Sequence, residues 1–314
     1  MLPLFGDEDS ARARLAQKLK DLAGQGVFIG ASSWKYEGWI GQIYSEERYQ
    51  TRGRFSRKRF EAECLAEYAE VFPTVCGDFS FYQFPSEAYW SRLFGSAPRS
   101  LRFAFKAPEE ITVKTFPTHA RYGARAGKEN PSFLDAGLFE KAFLEMLRPW
   151  QPQVAALIFE FGSFSRKAMA SLDDFLQRLD PFLAALPGEW RYAVEIRNAE
   201  FLQPEYFGSL RGHGVAHVLN SWSRMPELAA QTAIPGAFPA DFTVVRALLR
   251  QGRYYQHAVE KFAPYKTIQD PNPEARAALR QIIARARQLR QEAYIYVNNR
   301  LEGNAPGTIE AILE

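Results

Sequence analysis

The feature that most constrains this chain is a rhythm: from residue 27 onward, eight short apolar runs alternate with stretches of helical period. The runs are Val27–Ala31, 74–78, Arg102–Lys106, Val154–Glu160, 191–198, 215–220, 241–247 and 293–298. Helical patterns fill 60–72, 136–147, 167–186, 204–211, 225–233 and 273–292, with a short closing helix at 309–313. Alternation of this kind implies a parallel sheet joined by helical crossovers. Eight strands close a barrel, whereas an open doubly wound sheet has fewer and carries a Gly-rich phosphate turn after its first strand. No such turn is present. The chain is therefore read as α/β, a (β/α)8 TIM-type barrel. Leu15, Leu19 and Leu22 fall at i, i+4, i+7 before Gly24 and Gly26, which predicts an amphipathic N-terminal helix. Residues 1–26 are thus a helical extension expected to cover one end of a single barrel domain, 27–314.

Polar residues recur at the C-terminal ends of the runs. They are Ser32 and Ser33, Asp78, Lys106, Glu160, Glu195 with Arg197, Asn220, Arg246, and Asn298 with Asn299. In a barrel these ends converge on one face, where barrel enzymes build their sites. Strand parity sets Tyr192, Val194 and Ile196 against Ala193, Glu195 and Arg197. By the same count Lys106 shares its side with Ala104, Glu160 with Ala156 and Ile158, Asn220 with Ala216 and Val218, and Arg246 with Val244. Charged residues that share a face with small or branched apolar ones fit the open end of a pore.

These residues also sit in recognisable motifs. Phe28-Ile-Gly-Ala-Ser-Ser-Trp-Lys-Tyr with Trp39, Phe81-Tyr with Pro85, and Phe103-Ala-Phe-Lys-Ala-Pro with Ile111-Thr112 come first. Val194-Glu with Arg197, and Val297-Asn-Asn with Ala305, follow in order. Together they resemble the YecE-like family, domain of unknown function 72, from about Val27 to the C-terminus. The resemblance implies a TIM-type barrel whose activity is unassigned. It also marks departures: the family's usual Glu and Asn before Phe-Tyr are Cys76 and Asp78, and the His after Ile-Thr is Val113. The usual Gln after the fourth strand is Glu160, and Arg-x-His-Gly of the seventh is Arg246-Ala-Leu-Leu, so the chain reads as a divergent member.

Three carboxylates at one mouth, Glu195, Glu160 and Asp78, suit acid and base chemistry such as metal-independent hydrolysis. The same residues also read as charge balance, three acids against Lys106, Arg197 and Arg246. Lys106, Arg197 and Arg246 would hold phosphate or carboxylate, with Ser32, Ser33, Asn220, Asn298 and Asn299 as polar neighbours. Trp34, Tyr36, Trp39, Tyr82, Trp222 and Tyr265 offer stacking surfaces for a sugar or base. The expected ligand is a small anionic or sugar-like molecule, such as a phosphorylated sugar or nucleotide.

The competing reading is a non-catalytic nucleic-acid-binding protein. It would act through residues 48–59, with Arg48, Arg52, Arg54, Arg57, Lys58 and Arg59 among Tyr49, Phe55 and Phe60, and through a second basic loop at 114–128. A net charge of only +3 favours neither. His119, His213, His217 and His257 form no ligand pair on a common strand end, which excludes a His-rich zinc site and leaves oxygen-only Mg²⁺ through Asp78 and Glu160 open. No cofactor is implied. No apolar run reaches membrane length, the charged start lacks a signal's apolar centre, and Cys64 and Cys76 form no Cys-x-x-Cys pair, so a cytoplasmic protein is expected.

Overall fold

The computed structural model describes residues 7–314. Eight parallel strands close a barrel in sequential order: β1 Val27–Ala31, β2 Thr74–Gly77, β3 Arg102–Lys106, β4 Val154–Glu160, β5 Tyr192–Glu195, β6 Ala216–Asn220, β7 Phe242–Ala247 and β8 Glu292–Val297. The expected runs match these strands to within a residue or two, except that β5 stops at Glu195, before Arg197. Among the described residues no helix is long and apolar enough to cross a membrane.

Parity separates two cores. Ala104, Ala156, Ile158, Ala193, Ala216, Val218 and Val244 fill the pore with Cys76, and below them Phe28 stacks on Tyr294 at 5.0 Å to close the N-terminal end. The alternate residues, Phe103, Phe105, Leu157, Phe159, Val194 and Ile196, pack outward against the helices. Small residues suit the pore because eight strands leave a narrow interior.

Helix Asp7–Ala23 does not cover an end of the barrel. Leu15 and Leu19 are buried in the outer core, and Arg12 donates to the carbonyl of Ile43 in the loop leaving the top of β1, so the helix lies along the flank. Two helices of eight residues or more were not apparent from the periodicity. Glu87–Gly95, which makes the β2–β3 crossover, is capped by Ser86 Oγ accepting from Tyr89 N at 3.3 Å and buries Trp90, Leu93 and Phe94. Tyr255–Phe262 packs on a separate small cluster of Leu248, Leu249, Ala258 and Phe262, with Trp222 and Tyr265 against it.

The β1–β2 seam is, with β5–β6, one of the two shortest in the barrel, each with two residue pairs in register. Only Gly30 with Thr74 and Ala31 with Val75 are in register, and Tyr68 completes the seam: its hydroxyl accepts from Ala31 N at 2.8 Å and donates to Thr74 O at 2.9 Å. Position 30 must be glycine here, since a Cβ would meet Thr74 O at 1.8 Å.

Candidate functional site

The strand register brings like charges together. Glu160 and Glu195 are direct neighbours across β4 and β5, an arrangement that is unfavourable unless cations bridge it. Arg246, from the top of β7 across the pore, provides the bridge, its Nη1 lying 2.5 Å from Oε2 of each glutamate. Its Nη2 reaches Asp78 at 3.3 Å. Lys106 Nζ sits 3.1 Å from Glu160 and 3.5 Å from Asp78, and 4.3 Å above the ring of Phe81. Arg197 reaches Glu160 at 2.8 Å and Glu195 at 3.3 Å, with its guanidinium 3.8 Å from the Trp222 ring. All six charged residues expected at the mouth therefore meet.

The cluster is neutral overall, and its members differ sharply in access. Glu195 is fully buried, whereas the Asp78 side chain keeps 33% of its exposure and Arg197 14%. Burial alone would raise the Glu160 carboxyl, but Arg197, Lys106 and Arg246 outweigh it and hold the group ionised, well below the usual carboxylate range. Burial opposes the charge on Lys106, yet Asp78 and Glu160 raise its pKa above the ordinary lysine value. A lysine held charged in this way is an electrostatic partner and not a free amine nucleophile. The Cys76 thiol beneath the cluster is pushed up to about 12 by burial, against the pull of Arg246.

The polar neighbours mostly tie loops together. Asn220 donates to the carbonyl of Ile196 at 3.1 Å, and the Gln231 side chain donates to the Asn220 carbonyl at 2.7 Å, fixing the top of β6. Asn298 accepts from Arg300 N; Asn299 Oδ1 accepts from Trp39 Nε1 and Ala305 N, joining the loops after β1 and β8. Ser32 is buried, and its hydroxyl has no partner among the described residues. Ser33 is half-buried; Tyr36 packs on Trp39 and Tyr265, and burial pushes its phenol up to about 12 against the pull of Arg300. Trp34 lies elsewhere. It is buried in the outer core edge-on to Phe79, its carbonyl accepting from the Tyr44 hydroxyl, so it presents no stacking face at the mouth. Tyr82 is 58% exposed beside Arg121.

Phe81, Gln231 and Arg300 were not singled out from sequence. Phe81 stood inside a noted aromatic motif, but nothing local placed it under Lys106 or Gln231 beside Asn220. The histidines lie apart from the cluster. His217 faces outward from β6, its Nδ1 3.1 Å from the Tyr206 hydroxyl, and burial lowers its pKa to about 4. Among the described residues no three His, Cys, Asp or Glu side chains are placed to share a metal ion.

In the basic segment, Arg48 pairs with Glu70 at 2.6 Å, Arg57 with Glu37 at 2.5 Å and Arg59 with Glu63 at 3.0 Å, while Tyr49 and Phe60 are core residues. Arg52 and Arg54 are exposed on a short antiparallel hairpin in which Gln50–Thr51 pairs with Arg54–Phe55. In the second loop Arg121 pairs with Glu109 and Arg125 with Glu110, each at 2.7 Å.

The chain is 23% identical over 176 residues to the UPF0759 protein YecE of Escherichia coli K12, a match taking in 56% of this chain and 50% of that protein. It thus spans about half the length of that relative. A crystal structure of a DUF72 family protein from Thermotoga maritima superposes with a TM-score of 0.60 at 20% identity, covering 91% of this chain and 97% of that one. A DUF72 family protein from Enterococcus faecalis gives 0.58 at 16% identity, covering 91% and 95%. At such identities the structural likeness bears on fold alone. The family model described as protein of unknown function DUF72 matches residues 28–314, and the chain belongs to that family.

Proposed function

We propose that the C-terminal mouth of the barrel binds a small anionic or polyhydroxylated molecule, sugar- or nucleotide-like, and acts on it by carboxylate acid/base chemistry of the hydrolase kind. One observation carries the reading: six charged side chains from five strand ends close into a single cluster that reaches solvent through Asp78 and Arg197. Glu160, held ionised by three cations, serves as a fixed counter-charge and not as a proton donor. Proton transfer then falls to Asp78, the open carboxylate, with Glu195 behind it orienting Arg246 and Arg197. Trp222 and Tyr36 supply apolar surface at the rim.

The test is a thermal-shift panel of sugar phosphates, nucleotides, neutral sugars, short RNA and DNA, and divalent cations, run on wild type and Arg197→Ala. A ligand at about 100 times its Kd adds roughly 2.7 kcal/mol, about 4 °C for a chain of this size. A small-molecule shift lost in Arg197→Ala is the expected result. Stabilisation by oligonucleotides alone, abolished by salt and unchanged in that variant, would sink the mouth reading and favour the exposed arginines of the hairpin.

A further inference from the structure

The six charges do not hold one another equally. Glu160 and Glu195 grip Arg246 at 2.5 Å from rigid strands and are almost wholly buried. Asp78 stands one residue beyond the end of β2, at the start of the turn Phe79–Phe81, and touches Arg246 at 3.3 Å and Lys106 at 3.5 Å. It is the loosest member and the most exposed. Without it the cluster holds three cations against two carboxylates, a net charge of +1 at the base of an open mouth. The vacated positions would be Lys106 Nζ and Arg246 Nη2, two donors on separate strands aimed at one spot, a geometry suited to an oxyanion. Arg246 is buried, and its Nε has no partner among the described residues, so its hydrogen-bonding capacity is not exhausted by the carboxylates.

We propose that Asp78 is a resident anion: in the free protein its carboxylate occupies the place between Lys106 and Arg246 where the phosphate or carboxylate of the ligand binds, and it swings out as that ligand enters. This rests on the barrel mouth being a ligand site and specifies the ligand as one bearing a compact oxyanion. The exchange keeps the buried cluster neutral at both ends of the motion, so two interior cations are never left uncompensated. It also makes the site selective, because a neutral molecule has nothing to offer in place of Asp78. The displaced carboxylate remains beside the bound molecule and within reach of its hydroxyls.

The experiment is calorimetric titration of inorganic phosphate, and separately acetate, at constant ionic strength into wild type, Asp78→Asn and the double variant Asp78→Asn with Lys106→Gln. The double variant removes one charge of each sign and so keeps the cluster balanced. Asp78→Asn is expected to bind phosphate at least about tenfold more tightly than wild type, and the double variant to lose that gain. A stronger effect for acetate than for phosphate would mark the ligand group as a carboxylate. A folded Asp78→Asn protein that binds neither anion more tightly than wild type overturns the proposal. Wild-type crystals soaked in phosphate give an independent reading: phosphate between Lys106 and Arg246 with Asp78 turned away supports it, and phosphate bound with Asp78 still in place refutes it. If a neutral sugar binds wild type in an Arg197-dependent way while the anions gain nothing, this inference fails and the mouth stands. If no panel member binds through Arg197, both fail.

Discussion

Single side chains of this protein acquire their chemistry from neighbours that the chain brings from far away. His217 is an ordinary histidine by sequence, yet burial against Tyr206 lowers its pKa to about 4 from 6.5. The folded state therefore resists protonating it while the unfolded chain does not. Its contribution to stability is complete above about pH 6.5 and is lost as pH falls toward 4, a total of roughly 3 kcal/mol. Glu160 adds a second, lower acid limb: its folded pKa is also depressed, so its contribution is full above the usual carboxylate range and disappears only as pH falls through the lowered value. Urea unfolding of wild type and His217→Phe between pH 7.5 and 5, above the carboxylate limb, should show the variant's stability nearly flat where the wild type's declines. Equal slopes would mean that His217 does not titrate between the two states as described.

At the level of elements, the barrel closes through strands of unequal pairing. β1 and β8 are in register along five residues, β1 and β2 along two. The Tyr68 hydroxyl from helix Arg57–Tyr68 supplies the two hydrogen bonds that the short seam lacks, so a helix side chain does part of a strand's work. Tyr68→Phe leaves Ala31 N and Thr74 O buried without their partner, which costs about 2–6 kcal/mol for two such groups. Chemical denaturation should register that loss, and hydrogen exchange should rise first at β1 and β2. A change below about 0.5 kcal/mol would show that the seam satisfies itself another way. The same level explains which helices were hard to see. Glu87–Gly95 offers only nine residues with apolar positions Trp90, Leu93 and Phe94, and Tyr255–Phe262 eight, so each carries little more than two turns of periodicity.

For the molecule as a whole, the N-terminal helix belongs to the barrel's outer layer. Leu19 is completely buried there, and Leu19→Ala should cost about 2–5 kcal/mol and lower the melting of the entire barrel in one transition. A barrel melt left unmoved would make the helix a separate appendage. Much of the architecture was legible in the order of residues: the eight strands, the side each residue faces, and the convergence of Asp78, Lys106, Glu160, Glu195, Arg197 and Arg246 on one mouth. These follow from local rules, a period of two in strands and right-handed crossovers between parallel neighbours, which act over a few residues and leave their mark in the sequence. Only the tertiary structure decided that Glu195 is sealed while Asp78 stays open, that Trp34 turns into the outer core, and that Arg48, Arg57 and Arg59 are held by glutamates while Arg52 and Arg54 stay exposed. Those outcomes depend on which groups meet across the pore or between helices, as Asp78 and Arg246 do over a separation of 168 residues. Burial and ion pairing are set by that packing, and no periodicity in the chain records it.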